Sequence, residues 1–379
     1  MSKKILYIVG DLSYPNGMSR VLSQKVNYLA EHTDNHLYVV LTEKAEAPLY
    51  YELSERVEYV NFDINFDDLN TMPLHRKMYC YRKKQRRYRQ LLTDYLMLVR
   101  PDVTVSVMRR EINFINSIQD GSKKIGEIHF NKRSYRVFDK PWLPKSVNRF
   151  VTSRWQKSLE NEIRKLSRFV VLTYEDYSSW EGFDNVSVIP NPISYYPDHG
   201  STCEQQQVIA VGRYTWQKGF DYLIEAWALV SQRHPDWNLK MYGAGEPDSY
   251  RKMVEQMGLQ HVVSCENATR NVYEKYDESS IFVLSSRYEG LPLVLIEAMS
   301  AGLPCVSFAC PCGPRDVMHD GEDGFLVATG DVKGLANGIC RLIEDAEMRK
   351  RFGMAARKNV ERFKEEHIMA QWIKLFESL

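Results

Sequence analysis

Residues 280–308 read SIFVLSSRYEGLPLVLIEAMSAGLPCVSF. A β-branched apolar run, 280–286, breaks at Arg287–Gly290. Pro292, suited to the first position of a helix, opens helical spacing over 292–301. Gly302 ends that spacing, and PCVSF (304–308) is a second apolar run. Strand, loop, helix and strand in so short a span make one parallel βαβ unit, because parallel strands need a crossover. The stretch also holds Glu289 just before the helix and Glu297 within it, with apolar residues between.

The same alternation continues in both directions. Strands are expected at 5–9, 36–41, 57–62, 103–107, 124–130 and 169–173, then at 207–212, 238–243, 261–265, 280–286, 304–308 and 325–329. Helical periodicity fills 17–32, 77–99, 143–166, 219–233, 249–258, 271–278, 292–301, 332–344 and 346–360. Two βα series on 379 residues predict an α/β protein of two doubly wound, Rossmann-like domains. The expected division is 1–192, a linker at 193–206, 207–362, and a last amphipathic helix at 363–379.

Net charge is +1 overall, but residues 1–192 carry +7 and the remainder −6. The basic excess concentrates in 75–92, with eight Lys and Arg among tyrosines, and in 131–168, with eleven against three acidic residues. Such runs suit a solvated helix face or an anionic lipid surface. Nucleic acid is not expected as a partner, since the rest of the chain offers no reading surface. Seven cysteines without paired CxxC spacing suggest reduced thiols and a cytoplasmic protein. Cys310 and Cys312 have no second Cys/His pair with ligand spacing, so no metal is expected. The N-terminal apolar run is broken too soon for a signal peptide, and no run is long enough to span a bilayer.

Ligands of open α/β sheets bind beyond the carboxyl ends of the strands. In the second series those ends carry Arg213 and Lys218, two cations at a helix start that suit a diphosphate. They carry Gly243 and Gly245, which permit close approach to the backbone or make a plain turn. They also carry the Glu289–Glu297 segment, where amides near Gly290, Leu291, Leu293 and Val294 can meet phosphate oxygens. Ser285 and Arg287 either touch the ligand or merely solvate the strand end.

The ordered array VIPNPI, VGRYTWQKGFDYLIEAW, YGAGE, SSRYEGLPLVLIEAMSAGLP and GPRDVMHDGEDGFLV resembles the donor half of family 4 glycosyltransferases. The first domain resembles them more loosely, through NGMSRVLSQKVNYLAE. The resemblance implies a GT-B fold: two domains facing across a cleft, with the C-terminal helix returning to the first. It implies a retaining transfer of a hexose or N-acetylhexosamine from a nucleotide-diphosphate sugar, UDP being the commonest donor, without metal or other cofactor. Acceptors would be glycans or polyprenol- and lipid-linked glycans of a capsule, O-antigen or lipopolysaccharide, reached from the inner face of a membrane.

Residue by residue, the resemblance gives Glu297 the ribose hydroxyls, Glu289 the transferred sugar, and Arg213 and Lys218 the diphosphate. Asn16-Gly17 match a phosphate-approaching loop, although relatives often carry two glycines there. His129, after Glu127 in GEIHFN, matches an active-site histidine, though a histidine at a strand end is also a common core residue. The base is expected near Glu266–Thr269. A non-catalytic nucleotide-sugar-binding partner and a GT-B-fold epimerase remain as alternatives.

Overall fold

The computed structural model describes residues 2–132, 135, 138–139 and 143–379. Arg133, Arg136 and Lys140, three cations of the second basic run, lie outside the described residues. Thirteen strands among the described residues form two all-parallel sheets. The first holds β1 (Lys4–Ile8), β2 (His36–Leu41), β3 (Val57–Asn61), β4 (Val103–Ser106), β5 (Lys123–Glu127), β6 (Arg168–Val171) and β7 (Val186–Val188), in the order β3-β2-β1-β4-β5-β6-β7. The second holds β8 (Gln207–Val211), β9 (Asn238–Gly243), β10 (Val263–Asn267), β11 (Ile281–Leu284), β12 (Cys305–Phe308) and β13 (Gly324–Val327), in the order β10-β9-β8-β11-β12-β13. Each order reverses once, between β1 and β4 and between β8 and β11. Those reversals are the crevices where such sheets bind ligands.

The 280–308 stretch is β11, the helix Leu293–Ser300 and β12, with Phe282 paired to Cys305 and Leu284 to Ser307. Both strands are buried along their whole length, as parallel strands covered on two faces must be. Pro292 caps the helix rather than opening it, because its ψ of 86° is not helical.

The chain forms two compact units. One is Met1–Leu172, Ser179–Ile189 and Met369–Leu379; the other is Thr173–Ser178 and Pro190–Ile368. Residues 193–206, read from composition as a linker, pack within the second unit. Ile193 N donates to Phe363 O (2.8 Å), Ser201 N donates to Ala301 O (2.7 Å), and Cys203 is buried. The few apolar side chains of this stretch suffice to anchor it. Residues 173–178 also count with the second unit, where the Tyr174 and Glu175 amides donate to the Asp316 carboxylate (2.7 and 3.1 Å). The last helix, Glu365–Glu377, starts in the second unit. From Met369 onward it belongs to the first, with Trp372 and Phe376 buried and Lys3 Nζ donating to Phe376 O.

Candidate active site

In the second unit the site grows from the β8/β11 reversal. After β8, Gly212 packs on the Lys218 stem: a Cβ there would sit 3.1 Å from Lys218 Cδ. Gly219 follows with φ +63°, and its absent Cβ would fall 2.1 Å from Ser285 O, so only glycine brings this loop against β11. Ser285 Oγ donates to Lys218 O (3.1 Å). Held this way, Lys218 Nζ donates to Glu289 Oε1 at 2.6 Å, and Ser286 Oγ donates to the same oxygen at 2.6 Å. The Glu289 backbone is pinned as well: its N–H donates to Pro311 O (2.8 Å), and its carbonyl accepts from Cys312 N (3.0 Å). The carboxylate therefore arrives oriented and only 6% exposed.

Other predicted residues surround this pair. Arg213 is exposed, and its guanidinium has no partner among the described residues. Gly243 backs onto β8, where a Cβ would lie 1.9 Å from Gly212 O, so its role is close strand packing rather than a turn. Gly245, at φ +107°, turns the chain beside Tyr214. Leu295 and Ile296 amides donate to Pro292 O, while those of Leu291, Leu293 and Val294 have no acceptor among the described residues. Those amides and Gly290 form the mouth of the helix. Glu297 lies on that helix and is 3% exposed, because every residue from Leu295 to Ser300 is buried.

Arg287, left open by the sequence, is a clamp. It bonds Asp221 through both terminal nitrogens, lies between the rings of Trp216 and Tyr222, and donates to Trp216 O. Ser286 and Asp221 were missed, since one serine or aspartate near a strand end carries no pattern. The base-side segment is also displaced from expectation: β10 runs Val263–Asn267, so Glu266 and Asn267 are strand residues. Tyr214 Oη donates to Glu266 O (2.9 Å) and Met241 O (2.7 Å), tying β8 to β9 and β10.

In the first unit, Asn16 caps the helix Gly17–His32, its Oδ1 accepting from Ser19 N (2.9 Å), and leaves Gly17 exposed as the first helical residue. His129 stands two residues past β5, with Nε2 3.3 Å from Glu127 Oε1. Lys25 Nζ reaches the same oxygen at 2.5 Å. Burial opposes ionisation of Glu127, but Lys25 and His129 outweigh it and hold the carboxyl down at about 2. At the β1/β4 reversal a crevice is lined by Gly10, Thr42, Glu43, Arg109 and Glu111 among others. Burial pushes the Glu43 carboxyl up, and Glu111 accepts from Ser106 Oγ (2.6 Å). Neither carboxylate had a sequence signal.

The described residues contain no cluster of His, Cys, Asp and Glu that could hold a metal ion. The basic helix Leu74–Val99 buries Tyr88, Leu92 and Leu96 and exposes Arg76, Arg82, Lys83, Arg86, Arg87 and Arg89.

Residues 197–359 match the family model for glycosyl transferases group 1. This stretch belongs to that family. The match contains the whole Lys218–Glu289 cluster and Glu297. An uncharacterised glycosyltransferase of Haemophilus influenzae is 33% identical over 210 residues, covering 54% of this chain and 60% of the relative. The amylovoran biosynthesis glycosyltransferase AmsD of Erwinia amylovora is 30% identical over 229 residues, covering 55% and 64%. The chain thus matches somewhat under two thirds of these relatives' length. The crystal structure of S. aureus TarM, in complex with fondaparinux, alpha-GlcNAc-glycerol and UDP, aligns with a TM-score of 0.76 at 18% identity, covering 99% of both chains. The fold is GT-B, as expected from the order of strands and motifs.

Proposed function

We propose that the protein is a retaining glycosyltransferase of cell-surface polysaccharide synthesis. It moves a hexosyl or N-acetylhexosaminyl group from a UDP-sugar to a glycan or lipid-linked acceptor. The observation that carries this reading is the Lys218–Glu289–Ser286 cluster beside the unpartnered Arg213, at the one reversal of the second sheet. A nucleoside diphosphate brings negative charge, and its departure concentrates more of it on the leaving oxygens. Arg213 and Lys218 supply fixed cations there, worth more in the transition state than before it, and no metal is required. The free amides of Leu291, Leu293 and Val294 add donors aimed at phosphate oxygens.

Glu289, oriented by two donors on one oxygen, keeps its second oxygen for hydroxyls of the transferred sugar. Glu297 takes the ribose hydroxyls. His129 of the first unit meets the sugar. Substitution then proceeds on one face, the departing phosphate helping to take the acceptor's proton, with Glu289 forming no covalent bond. The relatives' names support the polymer class: AmsD acts in amylovoran biosynthesis, and TarM was solved with UDP and alpha-GlcNAc-glycerol.

The acceptor side rests on charge. No helix of the described residues is long and apolar enough to cross a membrane. The helix Leu74–Val99 offers exposed Arg76, Arg82, Lys83, Arg86 and Arg87, none ion-paired among the described residues, beside exposed Met78 and Tyr79. Each such cation near an anionic bilayer contributes about 1 kcal/mol. The protein therefore docks on anionic membrane and extends a lipid-linked glycan. Thermal shift with UDP, GDP, ADP and CMP tests the donor site. UDP is expected to raise the melting temperature of the wild type but not of Glu297→Ala, and UDP-sugars then to be turned over. No shift with any nucleotide would reject the reading.

A further inference from the structure

The helix Gly17–His32 turns Val21, Leu22, Val26 and Leu29 into the core of the first unit, and Lys25 among them is 0% exposed. An ammonium at such a position needs a reason, because apolar residues of similar volume usually serve a core as well or better. Lys25 Nζ lies 2.5 Å from Glu127 Oε1 and 3.9 Å from the centre of the Trp372 ring, with the Tyr7 ring at 5.9 Å. Glu127 passes the contact on: the same Oε1 stands 3.3 Å from His129 Nε2. The cluster is dry and under-satisfied. Glu127 Oε2, Tyr7 Oη, Trp372 Nε1 and both ring nitrogens of His129 make no aligned hydrogen bond among the described residues. His129 is the member at the edge, with 5% of its side chain exposed against 0% for Glu127 and Lys25.

Resting on the proposed transfer activity, we propose that Lys25, Glu127 and Trp372 form a buried positioning chain that fixes the tautomer and orientation of His129 toward the sugar. A carboxylate facing Nε2 favours the proton on that nitrogen and leaves Nδ1 to meet the substrate. Lys25 keeps the carboxylate ionised in a dry place and stops it from turning away. Trp372 caps the ammonium with its ring face, so the returning end of the chain completes the support. The groups facing His129 and Glu127 are Lys25 from the first helix, Tyr7 from β1 and Trp372 from the last helix. Lys25, Glu127 and Trp372 are positioning residues that touch no substrate. Stability alone would not have kept them, since a neutral pair of like shape fills the same space.

The test uses the full chain and the double variant Lys25→Met/Glu127→Gln, which removes both buried charges and leaves neither unpaired. The variant is expected to melt near the wild type and to show the same UDP thermal shift. Its kcat with UDP-glucose or UDP-N-acetylglucosamine should fall tenfold or more, with donor KM within twofold and a displaced pH–rate profile. Wild-type kcat and an unchanged profile would overturn the proposal. A second readout needs no turnover. Histidine-15N spectra, with His129 assigned through His129→Gln, should show the Nε2–H tautomer in the wild type and its loss in the double variant. Equal tautomer populations would overturn the chain even if the variant is slow. If the wild type turns over no sugar, the transfer reading fails, and the spectra still decide the positioning chain.

Discussion

Lys25 and Glu127 keep 0% of their side chains in solvent, whereas Lys218 and Glu289 keep 14% and 7%. The two pairs look alike on paper, each a lysine bonded to a glutamate through one carboxylate oxygen across a long stretch of chain. Their surroundings separate them. The first pair is capped by an aromatic ring and has no water to fall back on, so each charge depends on the other. The second pair sits at a strand end, beside exposed Arg213 and unpartnered amides, where a bound anion can replace part of the contact. A buried pair carries orientation to a neighbour; a pair at a mouth is a lysine held ready for exchange.

Removing one member breaks the comparison most sharply. Lys25→Ala leaves a buried carboxylate unpaired and is expected to cost about 3–5 kcal/mol in urea unfolding. Lys218→Ala should cost under about 1 kcal/mol of stability, since its partner still reaches water and Ser286. Comparable losses would mean that the second pair is structural too. The order inverts for activity: Lys218→Ala should lose about 10²–10³ in kcat, or about 2.7–4 kcal/mol, the size of one fixed electrostatic contact to developing charge.

Acid sharpens the same contrast. The folded pKa of Glu127, about 2, lies below its ordinary 4.5. The ionised carboxylate thus contributes stability that is fully present above that ordinary value and lost as pH falls toward the folded one. Melts of the wild type should decline over that window more steeply than melts of Lys25→Met/Glu127→Gln. Parallel declines would contradict the depressed carboxyl. Next in size is the donor effect: UDP at a hundredfold excess over Kd should stabilise the wild type by about 2.7 kcal/mol. Glu297→Ala should lose most of it, and a retained shift would remove the ribose role.

The sequence was legible where local pattern decides. Twelve strand positions follow from short β-branched runs between helical periods, and Arg213, Lys218, Gly243, Glu289 and Glu297 follow from motifs at strand ends. β7 escaped because Val186–Val188 is only three residues long and half-buried. The helix Tyr174–Tyr177 is too short for periodicity and is held instead by Asp316, 142 residues away. β10 slipped by two residues because HVV and SCEN are equally apolar-polar mixed, and its register against β9 settles the matter. Lys25 had no signal at all. One lysine in an amphipathic helix reads as surface, and its partner lies 102 residues on. Long-range pairing in space, not propensity, made it part of a site.

The smallest effect bears on how Glu289 is aimed. Ser286 is fully buried, and its hydroxyl gives Glu289 Oε1 a second donor at 2.6 Å beside the lysine. A hydrogen bond to a charged group contributes about 1.5–3 kcal/mol, but Ser286→Ala leaves Lys218 in place, so the net loss of stability should be nearer 1 kcal/mol. The hydroxyl's larger effect is geometric: with one donor instead of two, the carboxylate can turn its oxygens relative to the sugar. Ser286→Ala should therefore lower kcat several-fold while leaving the UDP thermal shift intact, because UDP lacks the sugar that Glu289 meets. If the shift falls along with kcat, Ser286 supports the diphosphate through Lys218 instead. The second pair would then act as one unit with Arg213 rather than as a carboxylate aimed at the sugar.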